Sequence, residues 1–362
     1  MSRRMYRKSI AVLFVVSALG GLTLWNSSDY ILVTTYVAKG GAGTVPIDVF
    51  SRNLLLAPSI QGYQERLSAE LYINSRPVNF TVKVDNEGNE YPYVGEIAYT
   101  GFINVTLVQR VRVYAVHSRS YFGVPASSSW PATRAGSLPR NSFWRCNTSA
   151  VGLRDLRSIS NRLAANASGP VDFAYKVARW ALSEAKYEES YGGISCPSAF
   201  LKEKKGACGD FSAFIAALLK IQGLNAYLVY SLVEDQGAYL NVSTARSSFL
   251  IKGAYPHVFT VLEVDGYRVP IDATANVGGD PIRGAVALNR DGVVILYKVV
   301  NSDPNDYLIL YAPGNDAQVY YSIVVKRNQG TIDAGFGWSI LGVAVAIVLV
   351  LGKRLDASDD RE

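Results

Sequence analysis

Lys205-Gly206-Ala207-Cys208-Gly209-Asp210-Phe211-Ser212 leads into the apolar run Ala213 to Ile221. Phe211, Phe214, Ile215, Leu218 and Leu219 recur at three- and four-residue intervals, and Gly223 stands where a helix usually stops. This period predicts a helix with Cys208 at or just before its first turn. Unpaired backbone N–H groups and the positive end of the helix dipole gather there, and both favour a thiolate over a thiol. A cysteine needing only burial would sit as well in mid-helix. Cys208 is the candidate nucleophile.

A thiolate of this kind works with a proton acceptor, and the chain holds two histidines, His117 and His257. His117 ends a strand-like run with no cysteine or carboxylate cluster nearby and reads as a surface residue. His257 opens the run His257 to Val264, which Asp265-Gly266 separates from Tyr267-Arg268-Val269-Pro270-Ile271-Asp272. Two strand-like runs about a two-residue Asp-Gly turn predict a tight hairpin. Val264 then pairs with Tyr267; counting back pairs Phe259 with Asp272 and His257 with Thr274. Alternation puts His257 and Asp272 on one face as diagonal neighbours, with Cβ atoms roughly 7–8 Å apart. The opposite face, Val258, Thr260, Leu262, Val264, Tyr267, Val269 and Ile271, is mostly core material.

Gly-Ala-Cys-Gly-Asp-Phe-Ser at a helix start, His-Val-Phe on a strand and Tyr-Arg-Val-Pro-Ile-Asp-Ala-Thr on the next resemble the transglutaminase-like superfamily of papain-like Cys-His-Asp proteins. The likeness covers about residues 150–280. It implies an α+β core with the cysteine at a helix N-terminus and the histidine and aspartate on antiparallel strands. It also implies Cys208 as nucleophile, His257 as base and Asp272 as orienting acid. Phe259 and Tyr267 stand where tryptophan is common in that family, and the motifs name no second oxyanion donor.

The 362 residues are too many for one small core, so two or three domains are expected. A net charge of +6, with dispersed basic residues, carries no nucleic-acid-binding signature. The charged fraction of 18% against 49% hydrophobic fits a membrane-anchored ectodomain better than a cytosolic protein. Arg3, Arg4, Arg7 and Lys8 precede an uncharged stretch, giving a basic tail at 1–8 and an anchor at 9–25. A second uncharged stretch, 336–352, ends at Lys353-Arg354 and leaves a tail at 353–362. Both read as transmembrane helices, and the positive-inside rule puts the tails in the cytoplasm and residues 26–335 outside. Ala18-Leu19-Gly20 leaves a cleaved signal open as the alternative for the first. Six Asn-x-Ser/Thr triplets, at Asn26, Asn79, Asn104, Asn147, Asn166 and Asn241, agree with an exported glycoprotein. Of three cysteines, a Cys146–Cys196 disulfide would leave Cys208 free; three reduced cysteines are the alternative.

Short strand-like runs separated by turn signals predict a β-sandwich-like domain over 26–120. Within it, Lys39-Gly40-Gly41-Ala42-Gly43 lacks the Gly-Lys-Ser/Thr ending of a phosphate loop and reads as a plain loop. Residues 121–149 read as a linker or arm docked through Trp130, Phe143 and Trp144. The catalytic domain follows at 150–280, with a helix from Pro170 and a polar excursion, Glu234 to Ser248, rimming the cleft. Residues 281–335 form a β-rich extension and tether.

The expected function is a membrane-anchored, extracytoplasmic transglutaminase-like cysteine enzyme. It would act on amide bonds of protein or peptide substrates in the cell envelope through a thioester, by hydrolysis or acyl transfer, with the bilayer as its other partner. No cofactor is called for, and no close-spaced ligand pair supports a zinc site at Cys208, His257 and Asp272. A catalytically silent envelope-binding or structural module is the alternative; it would tolerate loss of the Cys208 thiol.

Overall fold

The computed structural model describes residues 27–114, 122–131, 136–146, 150–275, 279–289, 292–312 and 317–328. The two expected membrane segments, both tails, His117, Asn26 and Asn147 lie outside these. Among the described residues no helix is long and apolar enough to cross a membrane. The chain divides into two compact units, Met1–Lys326 and Arg327–Glu362, and the first carries the fold and the site.

Its frame is a nine-stranded sheet. Eight of the strands are β1 (Ser27–Thr44), β2 (Gln64–Ile73), β3 (Arg76–Val78), β6 (Ala98–Tyr114), β9 (Asn225–Ser243), β10 (Ser247–Val264), β12 (Val293–Val299) and β13 (Gln318–Asn328). They follow the order β12-β9-β10-β13-β1-β6-β2-β3. The ninth, β11 (Tyr267–Ile271), pairs only with β10. A separate hairpin, β4 (Thr81–Val84) with β5 (Glu90–Tyr93), stands beside the sheet order. Strict alternation builds the N-terminal strands: Tyr30, Leu32, Thr34, Tyr36 and Ala38 of β1 are buried, as are Ile103, Val105, Leu107, Gln109, Val111 and Val113 of β6.

The apolar members of this set share one core with Tyr227, Val229 and Leu232 of β9, Phe259 and Val261 of β10, and Val293 to Ile295 of β12. The sheet therefore curls until its two ends meet. There the buried Gln64 amide takes the place of a missing strand: its Nε2 donates to Ile295 O at 2.9 Å and its Oε1 accepts from Ile295 N at 2.8 Å. Gly253 (φ 82°) marks where the pairing of β10 with β9 shifts register; a Cβ there would lie 2.1 Å from Val325 O, so only glycine fits.

Four of the expected features take a different form. Residues 27–114 form no separate sandwich module, because β1, β2, β3 and β6 continue the sheet that carries β9 and β10, and 281–328 contribute β12 and β13 to it. Such pairing joins residues hundreds of positions apart and needs each strand's apolar face to complete a shared core. The glycine run is part of β1, which bulges between Lys39 and Ala42 while still pairing with β6. Glu234 to Ser248 is the end of a long β9–β10 hairpin, paired as far as Ser243↔Ser248, and not a loop. Finally, both faces of the His strand are packed: Phe259 and Val261 face the curled-sheet core, while Val258 and Leu262 face the helices.

The helices cover that second face. They are α1 (Ser142–Arg145), α2 (Ala150–Ala165), α3 (Pro170–Glu184), α4 (Pro197–Glu203), α5 (Cys208–Ile221) and the short α6 (Val286–Asn289). α3 opens on Pro170, a residue suited to the first turn because its missing N–H would have no partner. α5 is buried along nearly its whole length, consistent with its central place against β9 and β10. The expected arm docks as its aromatics require. Phe122 packs edge-on to Tyr63 and Phe259, Trp130 lies on Phe173, and the fully buried Trp144 donates Nε1–H to Ser302 O at 3.0 Å. Cys146 and Cys196 are disulfide-bonded, with Cα atoms 5.4 Å apart, and Cys208 is the free cysteine.

Candidate active site

Ala207 is the N-cap of α5, so Cys208 occupies the first helical position. Asp210 and Phe211 return their N–H groups to Ala207 O, and an α-helix offers no internal partner to the N–H groups of Cys208 and Gly209. Cys208 thus sits beside backbone donors that the helix leaves unused. The local chain path is set by Asp210, which is buried and directs both oxygens at backbone. Oδ2 accepts from Ala207 N and Oδ1 from Ser195 N, each at 2.6 Å. A Cβ at Gly206 would meet the Asp210 Cβ at 2.5 Å, which explains glycine before the nucleophile.

α5 is stitched to the base strand one turn further on. Ser212 Oγ donates to Val258 O at 3.0 Å, and Thr260 Oγ1 donates back to Ser212 O at 2.8 Å. The predicted hairpin supplies the rest. Asp265 and Gly266 form its turn, both at positive φ, and the register runs from Val264↔Tyr267 to Thr260↔Ile271. The ladder stops there, short of the expected Phe259–Asp272 and His257–Thr274 pairs, because Asp272 N bonds to Pro281 O instead. His257 and Asp272 still meet: Nε2 donates to Oδ2 at 2.7 Å. Asp272 Oδ1 also accepts from Ala275 N at 3.0 Å and Thr274 N at 3.2 Å, and Oδ2 from Val286 N at 3.3 Å. The carboxylate is held from four directions.

With Nε2 committed to Asp272, the other ring nitrogen is left for Cys208, which acts on the imidazole both by charge and as a hydrogen-bond partner. Burial alone would lower the His257 pKa. The Asp272 charge and hydrogen bond, joined by Cys208, override it and push the value up to about 10. Burial likewise opposes ionisation of Asp272, but the His257 charge and the backbone donors keep its pKa below the ordinary 3.8. All three residues named from sequence therefore stand together, where a cavity of about 850 Å³ opens between Cys208, His257, Thr274 and the loop 189–194.

Several supporting residues carried no sequence signal for this role. Asn305 clamps Ile194 on both sides, accepting from its N at 2.7 Å and donating to its O at 2.9 Å. The buried Glu87 accepts from the N–H groups of Asn301 and Ser302, so the N-terminal strands brace the segment that carries Asn305. Among the described residues no cluster of His, Cys, Asp and Glu could hold a metal ion. Replacing Asp210 by Ala would leave the buried Ala207 N and the part-buried Ser195 N without this partner. The expected loss is about 2–6 kcal/mol by urea unfolding, roughly one to three for each group. A loss below about 1 kcal/mol would show that the two donors find other partners.

A cysteine at the first position of α5, an imidazole on β10 and a buried carboxylate just past the end of β11 thus stand together. Residues 157–272 match the model of the transglutaminase-like superfamily, and this segment carries a transglutaminase-like core. Among solved structures, the chain is similar to a candidate cysteine protease from Cytophaga hutchinsonii, at 11% identity and a TM-score of 0.51. The match covers 85% of this chain and 93% of that one. The periplasmic domain of TgpA from Pseudomonas aeruginosa also matches, at 12% identity and a TM-score of 0.28, over 71% of this chain and 91% of that one. No curated protein matches the sequence. At such identities the structural likeness speaks for the fold alone.

Proposed function

We propose that this is a cysteine enzyme acting on amide bonds of proteins or peptides, anchored in a membrane with its catalytic unit outside the cytoplasm. The observation that carries the chemistry is the 2.7 Å His257–Asp272 contact beside a cysteine at the first position of α5. The Cys208 thiol passes its proton to His257, its sulfur attacks the amide carbonyl carbon, and the electron pair of the C=O bond moves onto oxygen. As that pair returns, the C–N bond breaks and the leaving nitrogen takes a proton from His257. A thioester remains on Cys208. Water or an amine then attacks it and gives its proton to His257, which returns it to the Cys208 sulfur as the C–S bond breaks. Asp272 holds the ring in the tautomer that makes these transfers possible.

The location is supported by the Cys146–Cys196 disulfide, a bond that persists in oxidising compartments. Asn79, Asn166 and Asn241, each in an Asn-x-Ser/Thr triplet, are exposed as glycan attachment would require. The substrates would then be polypeptides of the cell envelope. Alkaline carbonate extraction tests the anchoring: an integral protein stays with the membrane pellet, and release into the supernatant would argue against it. The chemistry is tested by mass spectrometry of protein quenched in acid during turnover of an unfolded polypeptide substrate. An acyl adduct confined to the Cys208 peptide is expected, and products formed without one would exclude the thioester route.

A further inference from the structure

The Cys208 N–H supplies one donor to the oxyanion that forms during attack, and an acyl-transfer site of this kind works with a second. Three phenols lie close enough to the thiol for its charge to act on them: Tyr187, Tyr191 and Tyr230. Tyr230 donates to Pro304 O at 3.3 Å, and Tyr191 is hydrogen-bonded to Glu189. Tyr187 has no hydroxyl partner among the described residues, although its side chain lines the cavity with Cys208 and His257. Tyr255, also on that wall, comes from the base's own strand, two residues from His257.

Tyr187 is also fixed to the nucleophile through the backbone. The short strand β7 (Lys186–Tyr187) pairs in parallel with β8 (Lys205–Gly206), placing Tyr187 opposite Gly206, two residues before Cys208. Lys186 N bonds Lys204 O and Glu188 N bonds Gly206 O, both at 2.9 Å, so the tyrosine is clamped on either side.

We propose that the Tyr187 hydroxyl is the second oxyanion donor, acting with the Cys208 backbone N–H. This rests on Cys208 being the nucleophile. A donor must keep its proton, and burial, followed by the charge of Cys208, pushes the Tyr187 pKa up to about 12. The phenol stays protonated across neutral and mildly alkaline pH, while its exposure of 39% leaves it open to a bound substrate.

The test is Tyr187→Phe, which removes one oxygen from a partly exposed ring. Two reactions of Cys208 are compared: acylation by p-nitrophenyl acetate, which passes through an oxyanion, and alkylation by iodoacetamide, which does not. Acylation is expected to fall about 10²–10³-fold, the usual effect of deleting one oxyanion donor, with the alkylation rate unchanged. Equal acylation by the variant and the parent would overturn the assignment. So would a parallel fall in both reactions, which would place Tyr187 on the thiolate instead. If the parent protein is not acylated at Cys208 at all, the nucleophile reading itself fails, and this proposal with it.

Discussion

Cys208→Ala is expected to remove amide-bond cleavage or transfer down to the uncatalysed background, a loss of at least about 10⁴-fold. Deleting the nucleophile of such a unit abolishes the covalent route, and what survives comes from binding and oxyanion contacts alone. The side chain is half-buried and its sulfur is outside the Cys146–Cys196 disulfide, so the alanine variant should fold with a stability change within about 1 kcal/mol. Loss of activity with retained folding is therefore the expected pairing, read by product formation and by urea unfolding on the same preparation. A variant that kept its activity would make Cys208 a structural residue and favour a binding module on this fold.

Asp272→Ala is expected to damage both stability and activity. The carboxylate is nearly inaccessible and collects His257 together with three backbone N–H groups, so its removal strands a buried imidazolium and several donors. Breaking a buried pair in this way costs about 3–5 kcal/mol. Losing the orienting acid should also lower kcat by about 10⁴-fold, because the ring is freed to adopt the wrong tautomer. The stability effect has a pH signature. His257 is raised from 6.5 to about 10, so its share is present in full below pH 6.5 and lost as pH climbs through 10. Asp272 is lowered, so its share is present above the ordinary 3.8 and lost as pH falls below it. The gap between parent and variant should be widest between the ordinary values of 3.8 and 6.5, narrow as pH climbs towards 10, and close as pH falls below 3.8. With two histidines in the chain, NMR can follow the ring directly. A His257 that titrates near 6.5, its ordinary value, in the parent would contradict the pairing.

How far the sequence could be read follows from what kind of interaction made each feature. The Asp265-Gly266 hairpin and the start of α5 were readable because turn chemistry and helical period act over a few residues. The hairpin register correctly brought His257 to Asp272 even though its ladder ends at Ile271. The continuity of one sheet from β1 to β13 was not readable, since β1 and β6 look alike whether they pack on each other or on strands far away in the chain. Asp210 stands within the cysteine motif, but a carboxylate aimed at backbone leaves no pattern distinct from a solvated helix start. Asn305 reaches Ile194 across 111 positions of sequence. Tyr187 carries no motif of its own, and only its pairing with Gly206 brings it beside Cys208.

The claim that Cys208, His257 and Asp272 act as one unit is tested most directly by the rate of iodoacetamide alkylation at Cys208 in the disulfide-intact protein at neutral pH, with and without His257→Ala. Cys208 is the one free thiol among the described residues, so a single adduct is followed. If the imidazole sustains the thiolate, the variant should react at least about tenfold more slowly, and Asp272→Ala should move the rate in the same direction. Equal rates in parent and variant would mean that the thiol ignores its neighbours and that these three residues share a cleft without sharing a mechanism.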